Sequence, residues 1–274
     1  MKKRRRKPSR VKGTKIKVFL MVTGIILLLL SRLLQVNRED SQEKGILCQA
    51  EEIRESKASF VTEAGKEKEF LLPENARPEL VVLVNRENPI ADEYDPKLRK
   101  ICNGRLEASE YLYEDLCAML KAAGEAGYDF WIASAYRSVE YQEELIQKDI
   151  LKYIGQGDSY ESARAKSYEY KMPPGNSEHH TGLALDILCS TNLEMDESQA
   201  KEEGNIWLRE HCSEYGFVLR YPEGREDITG VKFEPWHFRY VGKEVADFMT
   251  NHQLVLEDYV NLLEESGDTK LFPK

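Results

Sequence analysis

The chain is poor in the residues from which most metal sites are made. Its 274 residues hold five histidines and five cysteines (48, 102, 117, 189 and 212), and no two cysteines form a Cys-x-x-Cys pair. A cysteine-based metal site is therefore not expected. In an oxidising compartment five cysteines permit two disulfides with one thiol left over. Cys117 and Cys212 sit in apolar helical patterns and read as small buried residues. Internal repeats and low-complexity tracts are missing from the folded part, as is any βαβ rhythm, so a parallel-sheet architecture is not expected.

Acid is missing from one end. Residues 1–36 carry eleven Lys/Arg and no Asp or Glu, leaving 28 basic and 48 acidic residues in the rest, a net of −20. So acidic a body repels phosphate, which argues against nucleic acid as a partner. The basic stretch is better explained by the apolar run beside it. No charge occurs from Val18 to Ser31, and if Arg32 snorkels the run reaches Val36, giving 19 residues. That approaches the roughly 20 needed to span a bilayer. The flank Lys2 to Lys7, with Arg10, Lys12, Lys15 and Lys17, puts the N-terminus in the cytoplasm. Ser31-Arg32-Leu33-Leu34-Gln35 is a poor cleavage site, so a retained signal anchor is expected over a cleaved signal peptide.

The chain divides into five parts: a basic cytoplasmic tail (1–17), a transmembrane anchor (18–36), a solvated stalk rich in Glu, Lys, Ser and Gln (37–69), a folded domain (70–265) and a short tail (266–274). Within the domain, Leu80 to Val84 reads as a strand. Leu106 to Ala126 has helical apolar spacing and ends at Gly127. Phe130 to Tyr136 reads as a strand, and Ser138 as the N-cap of a helix from Val139 to about Ile154. A helix at about 158–170, a strand around 183–188, a helix ending at Gly216, strands at 217–221 and 236–241 as neighbours, and helices at 244–251 and 255–265 complete the pattern. The mixture predicts an α+β fold with a central antiparallel sheet flanked by helices.

Three of the five histidines fall in two short segments, Ser177-Glu178-His179-His180-Thr181-Gly182-Leu183-Ala184-Leu185-Asp186 and Glu234-Pro235-Trp236-His237. Two imidazoles, a carboxylate and a spare carboxylate are the parts of a catalytic zinc site with an open position. Spacing alone does not assemble them. His179 and Asp186 are seven apart and would face opposite ways on one straight strand, as would Glu234 and His237. The backbone must break in both places, and Gly182 and Pro235 are the residues that allow it. Spacing also leaves His179 and His180 equivalent. His211 and His252 lie on helices outside any motif. A thiol nucleophile at Cys189 is a weak alternative, since no helix N-terminus is predicted to activate it.

Ser-x-His-x-x-Gly-x-Ala-x-Asp followed by Glu-x-Trp-His resembles the zinc D-alanyl-D-alanine carboxypeptidases of the VanY type. Leu83-Val84-Asn85-Arg86, Ala135-Tyr136-Arg137-Ser138 with Gln142, Tyr215 to Pro222 and Trp236 to Gly242 resemble family blocks in the same order, covering about residues 70–265. The resemblance implies a fold shared with the hedgehog signalling domain, one zinc ion and peptidoglycan stem peptides as substrate. It makes His179, Asp186 and His237 the ligands, in preference to His180, and Glu234 the general base that passes a proton from water to the leaving amine. Arg137 resembles the family arginine that binds substrate near the scissile bond. Gln142, Ser177, Tyr221 and Trp236 are further substrate-contact candidates. An LD-carboxypeptidase acting on tetrapeptide stems has the same metal set. A non-catalytic zinc-binding wall-recognition module is the reading from another class. The expected protein is a monomer in the cell membrane, with its catalytic domain outside.

Overall fold

The computed structural model describes residues 57–61, 67–74 and 76–267. The anchor expected at 18–36 lies outside them. Among the described residues no helix is long and apolar enough to cross a membrane.

The organising element is a four-stranded antiparallel sheet of β5 (Phe130–Ser134), β6 (Ala184–Cys189), β7 (Phe217–Leu219) and β8 (His237–Tyr240), in the order β5-β6-β8-β7. Two smaller hairpins precede it, β1 (Lys57–Val61) with β2 (Glu67–Leu71) and β3 (Leu98–Ile101) with β4 (Leu106–Ser109). All six residues of β6 are buried, as a central strand requires. Alternation then assigns the two faces of the sheet. Leu185 and Ile187 of β6 and Phe238 and Tyr240 of β8 pack against Leu116 and Met119 of α1 (Tyr113–Glu125) and Leu208 of α4 (Glu203–His211). Each such side chain contributes about 1.5–3 kcal/mol when fully buried. The opposite face carries Asp186 and His237, which are direct cross-strand partners.

Behind β7 and β8, α5 (Lys243–His252) and α6 (Leu256–Ser266) form a second core through Val245, Met249, Tyr259 and Leu263. The antiparallel pair α2 (Val139–Gly155) and α3 (Tyr160–Tyr170) packs on Ile146, Ile150 and Ala163. The Ser138 hydroxyl caps α2, accepting from Tyr141 N at 3.1 Å, so Arg137 is left just beyond the end of β5.

The structure differs from the sequence reading in four places. Leu80–Val84 is not a strand: Pro78–Leu80 forms a 3-10 turn, and the Leu80 and Val82 carbonyls accept from Arg239 Nη2 at 3.0 and 2.9 Å. A guanidinium thus satisfies backbone that would otherwise need a sheet partner. The helix expected from Leu106 starts at Tyr113, because Leu106–Ser109 pairs with β3. The expected stalk holds the β1–β2 hairpin at its end. Cys117 is exposed on α1 rather than buried, and the four described cysteines are free thiols.

Candidate metal centre

Both backbone breaks occur where the sequence places them. Glu178–Thr181 form a 3-10 turn closed by Gly182 at φ +70°, a left-handed conformation that favours glycine. A Cβ on Gly182 would lie 3.0 Å from Ser109 N and Leu98 Cδ2, so the turn is also too tightly packed for a side chain. His179 therefore leaves a turn, not a strand, and meets Asp186 on the adjoining β6. On the other side Glu234–His237 is a turn with His237 N donating to Glu234 O at 3.1 Å. Asn205 Nδ2 fixes that turn by donating to Pro235 O at 2.7 Å.

A hydrogen bond sets the tautomer of His179. His179 Nδ1 donates to Ala135 O at 2.6 Å, leaving its Nε2 lone pair 3.2 Å from Asp186 Oδ2. His237 Nδ1 lies 3.1 Å from Asp186 Oδ1 and 3.7 Å from Glu234 Oε2, while its Nε2 faces Glu178 Oε2 at 3.5 Å. The two rings are nearly perpendicular, at 89°. One ligand atom each from His179, Asp186 and His237 lies within 4.8 Å of the others, and all three residues are buried. A tetrahedral ion with ligands at 2.0–2.1 Å has ligand–ligand edges of about 3.3–3.4 Å. The 3.1 and 3.2 Å separations match such an edge, and His179 Nε2 has no hydrogen-bond partner in the protein. Two imidazoles and one carboxylate are a donor set that suits zinc.

His180 is excluded as a ligand by its own bonds. Its Nδ1 donates to Arg137 O at 2.7 Å and its Nε2 accepts from Gly175 N at 3.1 Å, so both nitrogens brace the surrounding loops.

The electrostatics of the two sides differ. Burial and the Arg137 charge push His179 down to about 4, keeping it neutral. Burial opposes charge on His237 as well, but Asp186, Glu178 and Glu234 overcome it and raise the group to about 9. Burial would raise Asp186, yet the two histidines hold it well below the usual carboxylate range. Glu178 is likewise held low against burial, chiefly by Arg220 and Arg239. Glu234 is pushed up to about 7 by burial, with Asp186 and Glu178 adding to the rise. Three carboxylates around one imidazole, two at Nδ1 and one at Nε2, form a pocket that favours a cation.

A cavity of about 680 Å³ opens over the centre, lined by Arg137, Gln142, Ser177, Tyr221, Glu234 and Trp236 among others. All the substrate-contact residues expected from sequence thus meet at one opening. Their surroundings differ. Arg137 Nη2 lies 3.9 Å from Asp186 Oδ2, and its Nη1 donates to Gln142 Oε1 at 2.7 Å. Gln142 in turn donates to Met172 O at 2.7 Å, so its amide serves to orient Arg137. The Tyr221 ring packs 4.9 Å from His237. Ser177 begins the 3-10 turn without capping it. Cys189 is buried and its thiol is pushed up to about 11, mainly by burial, which removes it as a nucleophile. Glu178, which carries no site role in the sequence reading, is fully buried beside His237. Its signal in the sequence is an acidic residue directly beside a ligand histidine.

Fold and ligand set define a mononuclear metal centre on an antiparallel α+β scaffold, with a carboxylate and an arginine beside it. A family model described as VanY, D-alanyl-D-alanine carboxypeptidase, matches residues 105–243. A D-alanyl-D-alanine carboxypeptidase of Enterococcus faecalis is 36% identical over 215 residues, 77% of this chain and 74% of the relative. A mutant of the vancomycin resistance D,D-pentapeptidase VanY in complex with Zn(II) superposes with a TM-score of 0.59 at 36% identity, covering 67% of this chain and 99% of that one. The LD-carboxypeptidase LdcB superposes with a TM-score of 0.58 at 31% identity, covering 68% and 87%. The chain belongs to the VanY D-alanyl-D-alanine carboxypeptidase family.

Proposed function

We propose that this chain is a zinc-dependent carboxypeptidase that removes the C-terminal D-alanine from peptidoglycan stem peptides. The observation that carries the reading is the placement of Glu234 beside His237 and of Arg137 beside Asp186, all lining the one cavity over the His179–Asp186–His237 cluster. His179, Asp186 and His237 hold the ion. When bound, zinc supplies Lewis acidity and lowers the pKa of a coordinated water towards neutrality.

The remaining work falls to the protein. Glu234, whose carboxylate lies 3.7 Å from the His237 ring, is placed to take a proton from the attacking water and deliver it to the departing amine. Arg137 is held by Gln142 with its charge beside Asp186, so it meets the reacting end of the peptide. Tyr221 and Trp236 wall the opening, and Ser177 presents an uncommitted hydroxyl at its edge. A non-catalytic wall-binding module would need neither a carboxylate set beside the ligand cluster nor an arginine oriented by Gln142.

The likeness to an LD-carboxypeptidase favours a second reading of the same chemistry, on tetrapeptide stems. Incubation with a pentapeptide ending in D-Ala-D-Ala and with a tetrapeptide, each with and without chelator, decides between them. The first reading expects D-alanine release from the pentapeptide, abolished by chelator. Glu234→Ala is expected to lose about 100- to 10,000-fold in rate while keeping its zinc. Release from the tetrapeptide alone overturns it in favour of the second, and release from neither overturns both.

Residues 18–36 anchor the chain in the cell membrane, with the basic tail in the cytoplasm and the monomeric catalytic domain outside. Protease added to intact spheroplasts is expected to remove the domain. Its full protection places it inside instead.

A further inference from the structure

Glu178 is one residue from His179 in sequence, yet its carboxylate points to the other histidine. Both of its oxygens are buried, and they are treated unequally. Oε1 receives Arg220 Nε at 2.7 Å and has the Arg239 guanidinium beside it as an ion pair, Nη1 at 3.0 Å. Oε2 has only His237 Nε2 in reach, at 3.5 Å, and neither of these two atoms has another partner. One orphaned donor and one orphaned acceptor, both cut off from water, face each other. Leaving either unpaired costs about 1–3 kcal/mol.

Around this contact lies a charge-neutral quartet. Arg220 forks onto Glu257 of α6 with bonds of 2.8 and 2.6 Å, and Arg239 is pinned by the Leu80 and Val82 carbonyls. Glu178 is therefore held from β7, β8, α6 and the 78–82 segment together, and its free oxygen has one direction in which to point.

We infer that Glu178 is a positioning residue that fixes the His237 tautomer, keeping the proton on Nε2 so that Nδ1 presents its lone pair to the metal. The inference rests on the zinc-centre reading and deepens it. On the other side of the site the Ala135 carbonyl does the equivalent for His179 with the nitrogens exchanged. The centre thus uses one Nε2 and one Nδ1 ligand, each set by what its second nitrogen meets. Such outer partners orient ligands and tune metal affinity.

Glu178→Gln gives a directional test. The Arg220 donor and the Arg239 cation already occupy the Oε1 side, so the amide oxygen must stay there and the amide N–H must turn to His237 Nε2. The imidazole then has to accept at Nε2 and carry its proton on Nδ1, which blocks the ligand atom. The full-length protein labelled with ¹⁵N-histidine is observed by long-range ¹H–¹⁵N correlation, with the His237 signals assigned by their loss in His237→Gln. Wild-type protein loaded with zinc is expected to show His237 protonated at Nε2 and metal-bound at Nδ1. Glu178→Gln is expected to weaken zinc binding about 10- to 100-fold against a chromophoric chelator. Glu178→Asp, which keeps the charge but shortens its reach, is expected to fall between. Unchanged zinc affinity in folded Glu178→Gln overturns the inference, and so does metal on His237 Nε2 in wild type. If Glu178→Gln fails to fold, the wild-type spectrum decides alone. A wild type that binds no zinc overturns the underlying reading as well.

Discussion

His179 and His237 approach one carboxylate from opposite sides, and they are prepared for the metal by opposite means. His179 comes from a 3-10 turn and gives its second nitrogen to a neutral carbonyl, while burial and the Arg137 charge push it down to about 4 and leave it uncharged. His237 comes from the ladder of the sheet and is ringed by Asp186, Glu178 and Glu234, which raise it to about 9. A neutral ligand on one side lowers the cost of assembling the site. An anionic cage on the other supplies the attraction for a cation, with the imidazole proton standing in for it. Neither arrangement alone gives both affinity and a base close to neutrality.

The largest expected difference is in the stability of the metal-free protein. His237→Ala strands three carboxylates and is expected to cost about 3–5 kcal/mol, whereas His179→Ala costs about 1–3 kcal/mol for a lost hydrogen bond. The sign of the pH dependence separates them further. A histidine raised to about 9 stabilises the fold fully below its unfolded value of 6.5, and the contribution is lost as pH rises through 9. Denaturant titrations at pH 6 and pH 9.5, with chelator present, should show the His237→Ala deficit shrinking and the His179→Ala deficit holding. Equal and pH-independent losses would erase the contrast.

Next in size is Glu234→Gln. A carboxyl raised from 4.5 to about 7 binds an extra proton in the folded state between those values, so stability falls as pH rises through that window. At pH 8 the full penalty applies, and removing the charge should stabilise the metal-free protein by roughly 2–3 kcal/mol. Near pH 4 the gain should vanish. Thermal melts across that range read it directly, and a gain that persists at pH 4 would place the strain elsewhere.

His180→Ala sharpens the neutral side. It unpairs Gly175 N–H and Arg137 O at about 1–3 kcal/mol, yet should leave one zinc per chain by metal analysis. Loss of zinc with an intact fold would return His180 to the ligand set. The smallest signal is a proton count. Calorimetry of zinc binding at pH 7 in two buffers of different ionisation enthalpy should show the His237 proton released, with Glu234→Gln lowering the total. At that pH His179 has no proton to give.

Much of the site is legible in the residues because its breaks are chemical ones. Gly182 and Pro235 mark irregular backbone in any context, and the capping Ser138 announces α2. The features that escape depend on groups distant along the chain. The Leu80–Val84 segment has strand composition, but its carbonyls are claimed by an arginine 159 and 157 positions away. Leu106–Ser109 is masked by the helical period after it, because its partner is another short strand. The choice between His179 and His180 needs the Ala135, Arg137 and Gly175 backbone groups, none of which any spacing rule contains. Glu178 escapes for the same reason. Its partners Arg220, His237 and Arg239 are 42 to 61 positions further on and meet it only in the folded chain.

The pairing of Asp186 with His237 across β6 and β8 has a consequence for how the protein matures. Strand register is a parity choice, and a slip by one residue would turn every side chain of a strand to the other face. A molecule that zipped these strands one step out would put Asp186 into the apolar core and have no carboxylate for the histidines. Bound zinc would therefore select for the correct register: the ligand set is complete only where Asp186 and His237, 51 residues apart, have met in frame, and a ligand that binds only that form stabilises it.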